Sequence, residues 1–333
     1  MTQAIALFSG GLDSILACRV VARQGIKVLA VKFVTPFFDY DILERPGYSQ
    51  EIKEKYDIDV TVVDLSTEYF SLLRNPAHGY GKHFNPCLDC KIFMMTKARE
   101  MMAVQGASFL ISGEVLGQRP MSQRRDALRV VERDSGCNGI LLRPLCAKHL
   151  LPTQPEINGL VDRAQLCDFG GRGRSPQIAL AKEMGITDYP SPAGGCVLTD
   201  LNVAARIKRY YGEHQTIRVN DMRLIKVGRH FVLPDGAWLV MGRGEEENQS
   251  VLALAEENDL CLKLIDRPGP YALLRNLSSS TDLDLAAGLI ARYGKKGPDG
   301  QPMPGQVECR GSNGTTVCAG VPPDPEHARS WVL

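Results

Sequence analysis

The chain has 333 residues, of which 44% are hydrophobic and 23% charged, with a formal net charge of +1. That length suffices for two domains with separate cores, and the near-neutral balance confines any RNA-binding surface to a local patch. No apolar run reaches membrane-span length, and the N-terminus has no basic–apolar leader, so a cytoplasmic chain is expected.

The first half alternates strand-like and helix-like stretches. Ile5 to Phe8 reads as a buried strand and Ile15 to Val21 as the helix behind it. Lys27 to Val34 is a second strand, followed by a helix over Tyr48 to Tyr56 and a third strand over Asp59 to Leu65. A polar, aromatic loop (Arg74 to Pro86) leads into a helix from about Asp89 to Val104. Ser108 to Ser112 and Gly139 to Leu142 supply strands four and five. This alternation predicts a doubly wound parallel sheet with helices on both faces, and a ligand crevice at the carboxyl ends of the strands. After about residue 200 the composition changes. A helix with a basic face (Asp200 to Tyr211) precedes short strands at Thr216–Val219, Leu224–Val227, His230–Leu233 and Trp238–Met241. Helices at Gln249–Asn258 and Asp282–Tyr293 follow, and Gln306–Arg310 and Thr315–Ala319 pair as strands. The expected division is residues 1–199, a helical linker over 200–215, and a smaller α+β domain over 216–333.

Between the first strand and its helix stands Ser9-Gly10-Gly11-Leu12-Asp13-Ser14. The glycines permit a tight turn that brings backbone N–H groups close to an anion. With Ser9, Ser14 and the positive helix end they form a phosphate cradle. Asp13 beside phosphate implies a bridging divalent cation, Mg²⁺. The pattern GxxxxGK(S/T) is absent, which argues against γ-phosphate transfer. A ligand-free glycine turn is the alternative, and the flanking serines and aspartate weigh against it.

Ten cysteines in a chain expected in the cytoplasm point to metal, cluster or redox chemistry for some of them. Cys18, Cys146 and Cys261 lie among apolar residues and read as packed thiols. Cys87 and Cys90 form a CxxC at the mouth of a helix, a position expected to lower thiol pKa. Cys196 follows Pro190-Ser191-Pro192-Ala193-Gly194-Gly195 far downstream. Three soft ligands suit a [4Fe–4S] cluster with an open fourth iron, a persulfide relay, or zinc completed by His83 or Cys167. They rank in that order. Packing alone is an alternative for Cys196.

SGGLDS resembles the pyrophosphate-binding loop of the ATP pyrophosphatase superfamily. Together with NPCLDC and the Gly113-Glu114-Val115-Leu116-Gly117-Gln118 stretch, it resembles the tRNA thiouridine synthetases. The resemblance covers about residues 3–199 and, through Ser122-Gln123 and Leu142-Arg143-Pro144-Leu145, leans to the 4-thiouridine branch over the 2-thiouridine one. It implies an adenine-nucleotide-hydrolase-like fold. It also implies ATP and Mg²⁺ on Ser9, Gly10, Gly11, Asp13 and Ser14, and nucleotide contacts at Gly113 and Gln118. Cys87, Cys90 and Cys196 would hold a cluster or carry sulfur. The implied reaction adenylates a uridine carbonyl of tRNA and replaces its oxygen by sulfur, supplied as sulfide or as the persulfide of a cysteine desulfurase. Asp13 and the three cysteines would be catalytic.

Two departures from the resemblance stand out: SGGLDS starts at residue 9, where the 4-thiouridine synthetases carry an RNA-binding region before the loop, and no rhodanese-like carrier is recognisable. The C-terminal half resembles the RNA-binding domain of NFACT-type ribosome quality-control factors, from Asn220-Asp221-Met222 to Gly244. Arg119, Arg124, Arg125 and Arg129 cluster after the nucleotide turn, Arg129 being read as a solvated residue partnered by Asp126 and Glu132. Arg172 and Arg174, in a glycine-rich loop ahead of another helix, are candidates for tRNA backbone or ATP phosphate. The rival readings are a nitrogen-transferring enzyme of the same superfamily, which needs no cysteine site, and a non-catalytic RNA-binding protein with a relic nucleotide fold.

Overall fold

The computed structural model describes residues 2–119, 121–192 and 194–333. The chain divides into two compact units, Met1–Thr199 and Asp200–Leu333.

In the first unit the strands are β1 (Gln3–Leu7), β2 (Lys27–Val34), β3 (Asp59–Asp64), β4 (Phe109–Ser112) and β5 (Leu141–Leu142). They form one parallel sheet in the order β3-β2-β1-β4-β5. Ile5 lies opposite Leu29 on one side and Leu110 on the other. Near-continuous apolar runs are what a sheet covered on both faces requires. The helices are α1 (Leu12–Ala22), α2 (Tyr48–Tyr56), α3 (Ser66–Arg74), α4 (Cys87–Gln105), α5 (Arg125–Asp134), α6 (Gln154–Ile157) and α7 (Ser175–Glu183). One core joins Leu12, Ile15 and Leu16 of α1 to Ile52 of α2 and Ala181 of α7. The opposite face buries Ile5, Val31 and Leu110 against Met95 and Ala98 of α4 and Val131 of α5. Cys18 and Cys146 are packed thiols of the first core. The expected partners of Arg129 are engaged elsewhere: Glu132 pairs with the buried Arg143, and Asp126 with Arg124 at 3.3 Å.

The second unit holds α8 (Leu201–Glu213), α9 (Val219–Ile225), β6 (Arg229–Val232), β7 (Trp238–Met241), α10 (Glu245–Ala253), β8 (Leu260–Leu264), β9 (Tyr271–Arg275), α11 (Ser280–Tyr293), β10 (Gly305–Gly311), β11 (Gly314–Gly320) and α12 (Pro325–Ser330). Its strands form an antiparallel sheet ordered β11-β10-β8-β9-β7-β6, with Ala286, Ala287, Leu289 and Ile290 of α11 in its core. Asp200 caps α8, accepting from the Asn202 and Val203 N–H groups at 2.9 Å.

Two expected strands differ in the structure. Residues 216–218 are not strand, and Val219–Ile225, which reaches into the expected Leu224–Val227 strand, is helical. The helix turns Met222, Leu224 and Ile225 inward and buries Asp221 at 3% exposure. There Asp221 meets Arg275 and the Tyr210 hydroxyl, while Arg275 also donates to Asp259 at 2.7 Å. The helix expected from Gln249 begins four residues earlier, at Glu245, because Glu245, Glu246 and Glu247 suit its positive end. Strands β8 and β9 were not expected.

Candidate functional site

The loop between β1 and α1 closes on itself. Ser9 Oγ accepts from the Gly11 N–H at 3.3 Å and donates to Ser14 Oγ at 3.2 Å, and Ser14 Oγ donates to the Gly11 carbonyl at 2.8 Å. Gly10 has φ +84, a left-handed conformation that a side chain would strain. No side chain caps α1, which leaves the Leu12 and Asp13 N–H groups at its start for a ligand, the Ser14 N–H being taken by the Gly11 carbonyl at 3.0 Å. Lys32, buried on β2, donates to the Ser9 carbonyl and to Asp39 Oδ2, both at 2.5 Å.

β4 delivers its own turn against this loop. A Cβ on Gly113 would sit 2.7 Å from the Asp13 carbonyl carbon and oxygen and 2.8 Å from the Ser14 nitrogen. Gly113 is therefore what lets the β4 turn touch the start of α1. Gln118 Nε2 donates to Asp13 Oδ2 at 2.9 Å. Asp13 Oδ1 is buried with no partner, as is Gln118 Oε1. An orphaned carboxylate oxygen at a phosphate loop has the chemistry of a Mg²⁺ ligand.

Ser9, Asp13, Ser14 and Gly113 line a cavity of about 400 Å³ together with Lys32, Glu114, Arg119, Gln123 and Cys87. Phe33, Phe38, Met94 and Met95 give it an apolar wall. A larger groove of about 870 Å³, among α5, β5 and α6, is lined by Leu142 and Arg143 but by no residue of the phosphate loop or of the CxxC. Below the cavity lies an ion network that sequence reasoning missed. Glu114 pairs with Lys91 of α4 and accepts from Arg143 Nε at 3.0 Å, and Arg143, 1% exposed at its side chain, reaches on to Glu132. Burial alone would push the Glu114 carboxyl up. The Lys91 and Arg143 charges outweigh it and hold the group down at about 2. Nothing local in the sequence signals the network, since only the fold brings Glu114 to the Lys91 that follows the CxxC.

Cys90, Cys87 and Cys196 influence one another electrostatically, and the Tyr69 hydroxyl, also missed from sequence, hydrogen-bonds the Cys90 thiol. Phe37 and Phe38 flank Tyr69 with ring centroids at 5.8 Å. The expectation of lowered thiol pKa fails at Cys90: burial pushes it up to about 12, the Tyr69 hydrogen bond opposing. Cys196 is exposed as a residue, and partial desolvation of its thiol still raises it. Among the described residues no three His, Cys, Asp or Glu side chains stand together as a metal-holding group. The thiols have the donor chemistry of a cluster site but not its spacing. Cys167, one suggested fourth zinc ligand, packs against the core around α1. Arg172 and Arg174 lie in the loop entering α7, whose Gly171 N–H donates to the Leu116 carbonyl at 2.9 Å.

With this geometry in view, comparison with known proteins gives two matches along the chain. Residues 1–149 match the family described as thiamine biosynthesis protein (ThiI), and residues 228–332 match the NFACT protein RNA binding domain. A "Probable tRNA sulfurtransferase" of Ureaplasma parvum serovar 3 is 29% identical over 155 residues, which is 44% of this chain and 37% of that protein. The "tRNA-specific 2-thiouridylase MnmA" of Azorhizobium caulinodans is 25% identical over 251 residues, 69% of this chain and 60% of that one. The chain thus spans less than two thirds of the length of either relative. Among solved structures, a 4-thiouridine synthetase–RNA complex with bound ATP is 18% identical with a TM-score of 0.41, covering 68% of this chain and 52% of that chain. The U34-tRNA thiolase NcsA from Methanococcus maripaludis, solved with its [4Fe-4S] cluster, is 14% identical with a TM-score of 0.32, covering 68% of this chain and 69% of that chain. No helix among the described residues is long and apolar enough to cross a membrane.

Proposed function

We propose that this chain, a ThiI-type PP-loop domain joined to an NFACT-type RNA-binding domain, is an ATP-dependent tRNA sulfurtransferase. One observation carries the reading: Cys87 of the CxxC lines the same cavity as Ser9, Asp13 and Ser14 of the phosphate loop. A nitrogen-transferring enzyme would not need that thiol, and a relic fold would not need the orphaned Asp13 oxygen.

The reaction follows from these residues. A uracil carbonyl oxygen attacks the α-phosphorus of ATP, the bond to the β-phosphate oxygen breaks, and pyrophosphate leaves. Ser9, Ser14 and the N–H groups of Gly10 and of Leu12 and Asp13 at the start of α1 hold the departing phosphates. Mg²⁺ held by Asp13 would offset their charge. The adenylated carbon is then attacked by sulfur, and AMP departs with the original oxygen. In the relay form a persulfide on one of the three cysteines makes the C–S bond. A second thiol breaks the S–S bond and leaves a protein disulfide, reduced by an external thiol. Cys87, Cys90 and Cys196 are the candidates, and 4-thiouridine is the product we place ahead of 2-thiouridine. The uridine has to leave its stack to enter the cavity, where Phe33 and Phe38 offer apolar faces. Arg172 and Arg174 are candidate phosphate contacts, and the second unit is the proposed grip on tRNA. A [4Fe–4S] cluster would be the alternative use of the same three thiols.

The test is tRNA thiolation by the anaerobically purified protein, read by nucleoside mass spectrometry alongside iron and zinc content. Asp13→Ala is expected to lose thiolation while tRNA affinity stays intact, and Cys87→Ala to lose thiolation while ATP binding stays intact. Undiminished thiolation in Asp13→Ala would overturn the enzyme reading. About four irons per chain that vanish in Cys87→Ala would assign the thiols to a cluster, and an active metal-free protein would assign them to the relay.

A further inference from the structure

The groove among α5, β5 and α6 takes no part in the chemistry above. α5 walls it with Arg125, Arg129 and Arg133, and Leu128, Leu142 and Leu150 give it an apolar floor. Its carboxylates are already engaged: Asp126 pairs with Arg124 at 3.3 Å, Glu132 with Arg143, and Glu156 with Arg163. Arg133 is likewise held, by Asp134 at 2.5 Å. Two cations of the wall are left over. Arg129 has no ion-pair partner among the described residues, and Arg125 donates to a neutral acceptor, the His149 carbonyl, at 3.1 Å. Arg143, which lines the same groove, also keeps Nη2 without a hydrogen-bond partner. The surface therefore lacks negative charge on one wall.

Apolar surface continues past the floor. Leu151, which also lines the groove, is 86% exposed, and Ile157, next to Glu156 on α6, is 63% exposed. Aliphatic side chains in water beside unpaired arginines have the composition of a protein interface, where arginine and apolar residues are both enriched. A phosphate backbone suits the groove poorly, because Asp126 and Glu156 repeat its charge and the leucines offer it no hydrogen bond. A small anion would leave Leu151 and Ile157 uncovered.

We infer that this groove is the docking site for an acidic amphipathic helix of a partner protein. Arg125 and Arg129 stand four residues apart on α5, about 6 Å along its axis. Carboxylates one turn apart on an incoming helix match that spacing, and guanidinium–carboxylate pairing gives the contact its direction. The apolar stripe of the same helix covers Leu150 and Leu151, the usual way a helix seats in a groove. The assignment stands on α5 and α6 and is independent of the sulfur-transfer reading.

The test is fluorescence anisotropy of a labelled helical peptide that carries glutamates one turn apart beside a leucine stripe, and of its lysine counterpart. Each is titrated with the full chain as wild type, as the double variant Arg125→Glu and Arg129→Glu, and as Leu151→Ser. All three positions are exposed, so the variants keep the fold. The glutamate peptide is expected to saturate on wild type and the lysine peptide not to. The double variant is expected to weaken the glutamate peptide about tenfold or more, through like-charge repulsion, and Leu151→Ser about fivefold, with tRNA and ATP affinities held within about twofold. No saturable binding of the glutamate peptide, or binding that the charge reversal leaves unchanged, overturns the inference. Loss of tRNA affinity in the double variant overturns it in favour of an RNA contact. A wild-type dimer in sedimentation that the double variant dissociates overturns it in favour of a second copy of this chain.

Discussion

Gly113→Ala is expected to lower ATP-dependent activity by about a hundredfold or more, the scale on which an ångström of misplacement at a reacting centre is felt. The added methyl would have to occupy space 2.7 Å from the Asp13 carbonyl and 2.8 Å from the Ser14 nitrogen. Both are backbone atoms, so no rotamer change relieves the overlap. Either the β4 turn withdraws or the start of α1 moves, and each displaces the loop that has to hold phosphate. The measurement pairs ATP-dependent activity and ATP affinity with thermal unfolding of the same variant. Near-normal ATP affinity in a folded variant would mean that the loop tolerates displacement, and that position 113 has no need of a glycine.

Glu114→Gln carries the largest expected loss of stability. It leaves Lys91 and the fully buried Arg143 without their shared counter-charge. Breaking a buried pair from one side costs about 3–5 kcal/mol, or roughly 10 °C of melting temperature for a unit of this size. The pH dependence has a definite sign. The carboxyl is held at about 2 in the folded protein against an ordinary 4.5, so its stabilisation is fully present above about pH 4.5 and drains away as pH falls toward 2. The shift corresponds to a contribution on the order of 3 kcal/mol. Denaturant melts of wild type and variant from pH 7 down to pH 2 should therefore converge at the acid end. Curves that stay parallel would show that Glu114 is not the group whose protonation matters.

Sequence alone reached those parts of the molecule that are locally encoded. Lys27–Val34 and Tyr48–Tyr56 were legible because each stretch carries its own periodicity and its own stop signals. The phosphate loop was legible because a tight turn before a helix needs glycines and small hydroxyls adjacent in the chain. Lys32, Tyr69 and the Lys91–Glu114–Arg143 chain were not legible. Lys32 to Ser9, Tyr69 to Cys90, Lys91 to Glu114 and Glu114 to Arg143 each span 20 or more residues of sequence, and a lone Lys in an apolar strand or a Tyr in an amphipathic helix has no local signature. The behaviour of Cys90 was misjudged for a related reason. Its helix position argues for a low pKa, but burial, which follows from packing alone, reverses the direction. In the second unit, Val219–Ile225 is as compatible with a strand as with a helix until Asp221 finds Arg275 inside.

The Lys91–Glu114–Arg143 network also governs distance. Lys91 follows Cys90 in α4, and Glu114 follows the Gly113 that rests on the phosphate loop. The helix bearing the thiols and the strand bearing the nucleotide turn are thus pinned to each other by a buried tether, one residue from each centre. Such a tether sets the separation between the phosphate loop and the CxxC thiols in the scaffold itself. Under the reaction proposed above, that separation would be the span between the two half-reactions, and the swing available to one nucleotide within the cavity would have to cover it.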